Sequence, residues 1–153
     1  MSQFKFSEMK VAIVGCGNMA KVHARLLVKM VNREHMAACD RDDLRLKYFS
    51  EEFNLVHQFN DLGKMLTEFK PDVVHLVVPP ALHHPLALQC LKQGCHVLIE
   101  KPMCVTVAEA DEIIQAAKEH HRLVCVDHMR SFDPLTIKAK ALLDSGKMGK
   151  IIN

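Results

Sequence analysis

A chain of 153 residues, 49% hydrophobic and 25% charged with a formal net charge of +2, has the size and balance of one globular domain. The mixed charge gives no basis for binding nucleic acid or an anionic membrane, no apolar run spans a bilayer, and the opening MSQFKFSEMK lacks a signal peptide's apolar core; the expected compartment is the cytoplasm. The six cysteines (16, 39, 90, 95, 104 and 125) fall mostly in or beside apolar runs without a C-x-x-C pair, which predicts reduced, packed thiols and no metal site.

Residues 1–9 read as a loose tail. The run Val11-Ala12-Ile13-Val14 predicts a buried strand that breaks at Gly15-Cys16-Gly17. A helix follows, expected to turn Met19, Val22, Leu26, Leu27 and Met30 inward. This strand–turn–helix has the form G-x-G-x-x-A of a dinucleotide site. Gly15 can take the tight turn, Gly17 lets backbone approach a pyrophosphate, and Ala20 lets the helix pack closely. The free N–H groups at the helix start, near Asn18 and Met19, would face the phosphates.

A second strand at 34–40 closes on Asp40, about 20 residues beyond the glycines, where a dinucleotide site wants an acid for the adenosine ribose hydroxyls. That carboxylate repels a 2′-phosphate, so NAD is expected and NADP disfavoured, with Arg41 available to compensate in part.

Residues 42–53 predict a helix with Leu46, Phe49 and Phe53 on one face, and 55–59 a short strand. Asn60 or Asp61 can cap a helix carrying Leu62, Met65, Leu66 and Phe69, stopped before Pro71. The run 72–78 predicts a strand covered on both faces, with His75 a satisfied core histidine; the other scattered histidines, His23 among them, carry no metal spacing. After Pro79-Pro80 comes a helix with Leu86, Ala87, Cys90 and Leu91 inward, ended by Gly94, and then a strand at 96–100. Thr106 and Glu109 form a capping box for a helix expected to bury Val107, Ala110, Ile114 and Ala117. A sixth strand at 123–127 and a helix begun by Asp133-Pro134 and ended by Gly146 complete the chain.

Regular alternation of strands and helices predicts an α/β fold, a doubly wound parallel sheet of about six strands with helices on both faces and a crevice at the strands' carboxyl ends. The segments 15–19, 40–41, 78–83, 100–102 and 127–130 are expected to share that crevice, with His128 and Arg130 bordering its substrate side.

Together, VAIVGCGNMA, the sequence Pro79-Pro80-Ala81-Leu82-His83 and above all GCHVLIEKP (94–102) resemble the N-terminal domain of the Gfo/Idh/MocA oxidoreductases from Lys10 onward. The resemblance implies a Rossmann domain at 10–132 that transfers hydride between a nicotinamide cofactor and a sugar, polyol or cyclitol hydroxyl. It implies cofactor contacts at Gly15, Gly17, Asn18, Met19, Asp40 and Arg41. At the nicotinamide end it implies Val78, Pro79, His83, Glu100 and Lys101, with Lys101 beside the reacting hydroxyl as hydrogen-bond donor or proton carrier. Family members are about twice as long or more, so 133–153 is expected to be a linking helix and the start of a second domain that supplies the substrate pocket and the homo-oligomer interface. On this expectation the chain is a piece of such an enzyme, inactive or weakly active alone. A stand-alone NAD(H)-sensing or partner-docking module is the alternative; an S-adenosylmethionine-binding fold leaves PPALH and EKP unexplained.

Overall fold

The structure, a computed structural model, describes residues 8–149. Most of the predicted tail, and residues 150–153 where a second domain was expected to begin, lie outside the described residues.

Strands β1 (Val11–Val14), β2 (Met36–Cys39), β3 (His57–Phe59), β4 (Val73–Leu76), β5 (His96–Ile99) and β6 (Val124–Val126) form one parallel sheet in the order β3-β2-β1-β4-β5-β6. Helices α1 (Asn18–Leu27), α2 (Asp43–Phe53), α3 (Leu62–Lys64), α4 (His83–Lys92), α5 (Val107–Glu119) and α6 (Pro134–Asp144) connect or follow them. The strand order reverses between β1 and β4, which pair from Val11↔Val73 to Val14↔Leu76. Ligands of such sheets bind where the two chain directions diverge, outside the carboxyl ends.

Two cores sandwich the sheet, as the doubly wound prediction requires. On one face Ala12, Val14, Val74, Leu76, Val97 and Ile99 pack against α4, α5 and the segment after α3. On the other, Val11, Ile13, Met36 and Ala38 meet Ala20, Ala24 and Leu27 of α1 and Leu46, Phe49 and Phe53 of α2. That second face is covered mainly over β1 and β2. The expectation of a fully covered β4 is therefore met on one side: Val74 and Leu76 are buried, Val73 and His75 only partly.

The helix termini follow their local signals. Asp42, Asp61 and Asp133 cap α2, α3 and α6, and Thr106 and Glu109 complete both bonds of the capping box on α5. Two helix faces differ from expectation. On α1 the inward residues are Ala20, His23, Ala24 and Leu27, while Met19, Val22, Leu26 and Met30 are exposed. Close approach of a helix to a sheet favours small side chains, so the alanine stripe faces inward in place of the larger apolar one. On α5 Ile113 and Ala117 are buried, and Val107 and Ile114 are exposed. The predicted helix at 62–69 becomes a single α-turn that widens over Met65–Phe69 into a π-turn, closed by the Lys70 amide donating to the Met65 carbonyl. The change keeps Met65, Leu66 and Phe69 buried. Residues 33–35 form a 3-10 turn ahead of β2 in place of the first residues of the predicted strand.

Candidate functional site

The turn after β1 uses its glycines differently. Gly15 has φ +91°, and a Cβ placed there would lie 2.3 Å from the Val77 carbonyl oxygen. Its amide donates to the Cys39 carbonyl at 2.8 Å. Gly15 therefore serves the fold, locking the turn between the ends of β2 and β4. Gly17 has an ordinary extended backbone, and a Cβ there would meet no protein atom within 4 Å. Its bare surface leaves room for something outside the chain to approach the backbone. Gly17 also caps α1 without a side-chain bond, and no acid sits in the first turn, so the amides at Asn18 and Met19 and the positive helix end remain open to an anion. Asn18 and Met19 are exposed.

Asp40 closes the turn from the other side. One carboxylate oxygen accepts the Cys16 amide at 2.8 Å and the other accepts the Asp42 amide at 3.0 Å, with the Arg45 guanidinium 3.7 Å away. A carboxylate offers about four acceptor sites, so these partners leave capacity for two ribose hydroxyls. Exposed Arg41 stands next to it. A crevice of about 440 Å³ runs past Gly15, Gly17, Asp40, Arg41, Val78 and Pro79. Its far wall comes from Leu82, within the expected segment 78–83, and from Asn60–Gly63 after β3, Leu86 and Gln89, residues that the strand-end expectation does not include. The thiols of Cys16 and Cys39 also line it, and burial, followed by the Asp40 charge, pushes both up to about 12, so they stay protonated. All six cysteines are free, as expected.

The nicotinamide-end residues of the sequence reading divide into two groups. Val78 and Pro79 line the crevice; His83 does not. The His83 ring is fully buried, with Nδ1 2.9 Å from the Pro102 carbonyl oxygen and Nε2 2.9 Å from that of Val78. Both ring nitrogens face carbonyls of the protein, so His83 ties the turn after β4 to the turn after β5. Its ring is therefore off the crevice lining, whereas the resemblance implies a cofactor contact. Glu100 and Lys101 stand at the end of β5. Glu100 is buried and accepts the Lys101 amide at 3.1 Å, whereas the Lys101 side chain is exposed.

A cluster the sequence did not reveal lies behind Glu100. His23 of α1, buried, places Nε2 3.1 Å from a Glu100 oxygen and 3.5 Å from an oxygen of Asp127, which follows β6. Its Nδ1 lies 3.0 Å from Nδ1 of His75, and the rings meet edge-on at 83°. Burial, followed by the charge of His23, pushes the His75 imidazole down to about 3. His75 thus has one ring partner and is only half-buried, short of the satisfied core histidine expected; His23 and Asp127 gain partners that no local spacing announces. Exposed His128 and Arg130 lie beyond β6, outside the crevice.

These residues fit a dinucleotide: a glycine surface free of protein contacts, open helix amides and an acid with spare acceptor capacity share one crevice at the switch of strand order. No helix among the described residues is long and apolar enough to cross a membrane.

Comparison with known proteins places this geometry in context. The oxidoreductase family with an NAD-binding Rossmann fold, GFO_IDH_MocA, matches residues 9–128. The chain is 31% identical over 146 residues to D-glucoside 3-dehydrogenase of Escherichia coli, covering 95% of this chain and 42% of the relative. It is also 31% identical over 146 residues to inositol 2-dehydrogenase 2 of Saccharopolyspora erythraea, covering 94% and 43%. Among solved structures, the WlbA dehydrogenase of Chromobacterium violaceum in complex with NADH and UDP-GlcNAcA superposes with a TM-score of 0.87 at 26% identity, over 97% of this chain and 43% of that one. The scyllo-inositol dehydrogenase of Lactobacillus casei with bound NAD(H) and scyllo-inositol gives 0.81 at 29% identity, over 94% and 43%. The chain thus spans less than half the length of these relatives.

Proposed function

The chain belongs to the Gfo/Idh/MocA oxidoreductase family, and from that premise we propose that it forms the NAD(H)-binding half of a cytoplasmic dehydrogenase acting on a sugar, polyol or cyclitol hydroxyl. The observation that carries the proposal is the paired geometry of Gly17 and Asp40, a glycine with no protein neighbour and a carboxylate with spare acceptor sites on one crevice. The relatives named for glucosides and inositols support the substrate class. The free cysteines support the compartment.

The residues divide the work by position. The amides at Asn18 and Met19 hold the pyrophosphate against Gly17. Asp40 accepts the ribose hydroxyls and, by its charge, selects NAD over NADP, while Arg41 covers the adenine. Val78 and Pro79 border the nicotinamide half. Bound NAD supplies the hydride acceptor. Lys101, exposed beside it, donates a hydrogen bond to the substrate oxygen and holds or passes on its proton. Hydride transfer needs donor and acceptor carbons held in near-attack geometry. Lys101 faces solvent in this chain, so the 153 residues alone bind NAD(H) and turn over little.

Calorimetric titration with NADH tests the cofactor site. One NADH is expected to bind per chain, and Asp40→Ala to weaken it by about tenfold, as loss of a charged hydrogen-bond acceptor does. Failure of the wild-type chain to bind NADH overturns the proposal. Robust NADH formation from NAD⁺ and a panel of polyols overturns the statement that the chain alone turns over little.

A further inference from the structure

The segment Glu100-Lys101-Pro102 carries the side chain assigned to the reacting hydroxyl, yet Lys101 itself is exposed and makes no ion pair among the described residues. Its direction must therefore be set by its neighbours in the chain. The amide of Glu100 is fixed on the sheet, donating to the Leu76 carbonyl at 3.0 Å. Beyond it the ladder ends, and the side chain of Glu100 turns back beneath the strand ends. One carboxylate oxygen takes the Lys101 amide at 3.1 Å, and the other faces His23 Nε2 at 3.1 Å.

A carboxylate as buried as that of Glu100 needs a donor on each oxygen. Its second donor comes from a different element, the inner face of α1, six residues after the glycine turn. His23 is itself oriented from behind. With Nδ1 of His75 3.0 Å from its own Nδ1, the ring cannot rotate without losing one contact or the other. Asp127, 3.5 Å from the same Nε2, adds a second negative group on the donor side. His75 comes from β4, Glu100 from just after β5 and Asp127 from just after β6, so the imidazole gathers groups from the ends of three neighbouring strands.

We propose that His23 is a positioning residue: oriented by His75, it holds the Glu100 carboxylate and thereby fixes the backbone from which Lys101 projects toward the nicotinamide. The inference rests on the function proposed above. It also links the two halves of the cofactor site, because the helix that opens at the pyrophosphate end carries the donor that sets the nicotinamide end.

The test compares His23→Phe, which removes the donor, with His23→Gln, whose side-chain amide can restore it at the Nε2 position. Each variant is titrated with NADH and with ADP-ribose, which lacks the nicotinamide. His23→Phe is expected to weaken NADH by about fivefold or more, the scale of one lost hydrogen bond, while ADP-ribose changes less than about twofold; His23→Gln returns NADH toward the wild-type value. Equal loss for both ligands, or no loss for either, overturns the proposal. A second measurement does not need the cofactor. In ¹⁵N–¹H spectra of the free chain, His23→Phe is expected to shift the Lys101 and Asp127 amides and His23→Gln to restore them. Unmoved amides overturn the proposal, and they decide it even where wild-type NADH binding fails and the functional reading falls. Stabilisation of the wild-type chain by stoichiometric Zn²⁺, lost in His23→Phe, also overturns it by making His23, Glu100 and Asp127, whose ligand atoms lie within 4.8 Å of one another, a metal site.

Discussion

The carboxylate of Asp40 accepts the backbone amide of Cys16 at 2.8 Å, so the acid after β2 and the glycine turn after β1 form one hydrogen-bonded unit. On the proposed function, this bond couples recognition of ribose to recognition of pyrophosphate. Asp40→Asn keeps one oxygen for Cys16, gives up the acceptor of the Asp42 amide and removes the charge proposed to oppose a 2′-phosphate. It is expected to narrow the preference for NADH over NADPH by about tenfold, with a modest fall in melting temperature from the lost Asp42 bond. Parallel titrations with the two cofactors check this.

The two glycines of the turn give opposite outcomes. Gly15→Ala forces a side chain against the Val77 carbonyl at a φ of +91°, and is expected to destabilise the fold by about 2 kcal/mol or more. Gly17→Ala meets no protein atom and adopts an ordinary backbone, so the fold stays within about 0.5 kcal/mol of wild type. NADH affinity is nonetheless expected to drop sharply, because the new methyl stands where the proposed function puts the pyrophosphate. Urea denaturation and NADH titration on both variants separate the two effects.

His75 makes stability depend on pH. Its imidazole titrates near 6.5 when unperturbed and is pushed down to about 3 in the fold. Between those values the unfolded chain binds a proton that the folded chain refuses. The contribution is complete above about pH 6.5 and is lost as pH falls toward about 3, with a slope of up to about 1.4 kcal/mol per pH unit for one proton. His75→Leu is expected to flatten the acid side of the stability profile by that one proton. Unfolding free energies measured across this range give the slope.

At the start of α5, Thr106 accepts the Glu109 amide, while the Glu109 carboxylate takes the Val105 and Thr106 amides and is held below its usual range by them. Thr106→Ala is expected to cost about 1 kcal/mol, read by denaturant titration. NADH affinity stays unchanged, since the box lies outside the crevice.

How much of this was legible depends on the range over which each feature is determined. Gly15, Asp61, Thr106 and Asp133 are readable because turns and caps are decided by a residue and its neighbours within four positions. Asp40 is readable through its spacing from the glycines. The inner faces of α1 and α5 are not, because periodicity counts apolar bulk, whereas the sheet selects Ala20 and Ala24 for their smallness. Strand ends are over-read where apolar runs such as 72–78 continue past the last ladder bond into the turn. The His23 cluster escapes entirely, since its members are brought together by strand order alone, at separations of 52 and 77 residues. His83 shows the converse: its position near the site is legible, but the direction of its ring is set by carbonyls 5 and 19 residues away.

The buried ring of His83 also bears on how the protein breathes. Because one imidazole spans the Val78 and Pro102 carbonyls, the loops after β4 and β5 cannot open one at a time without exposing a buried polar group. The two loops are therefore expected to open together, with their amide hydrogens exchanging with solvent at matching free energies. A cofactor that closes on either loop then slows exchange in the other.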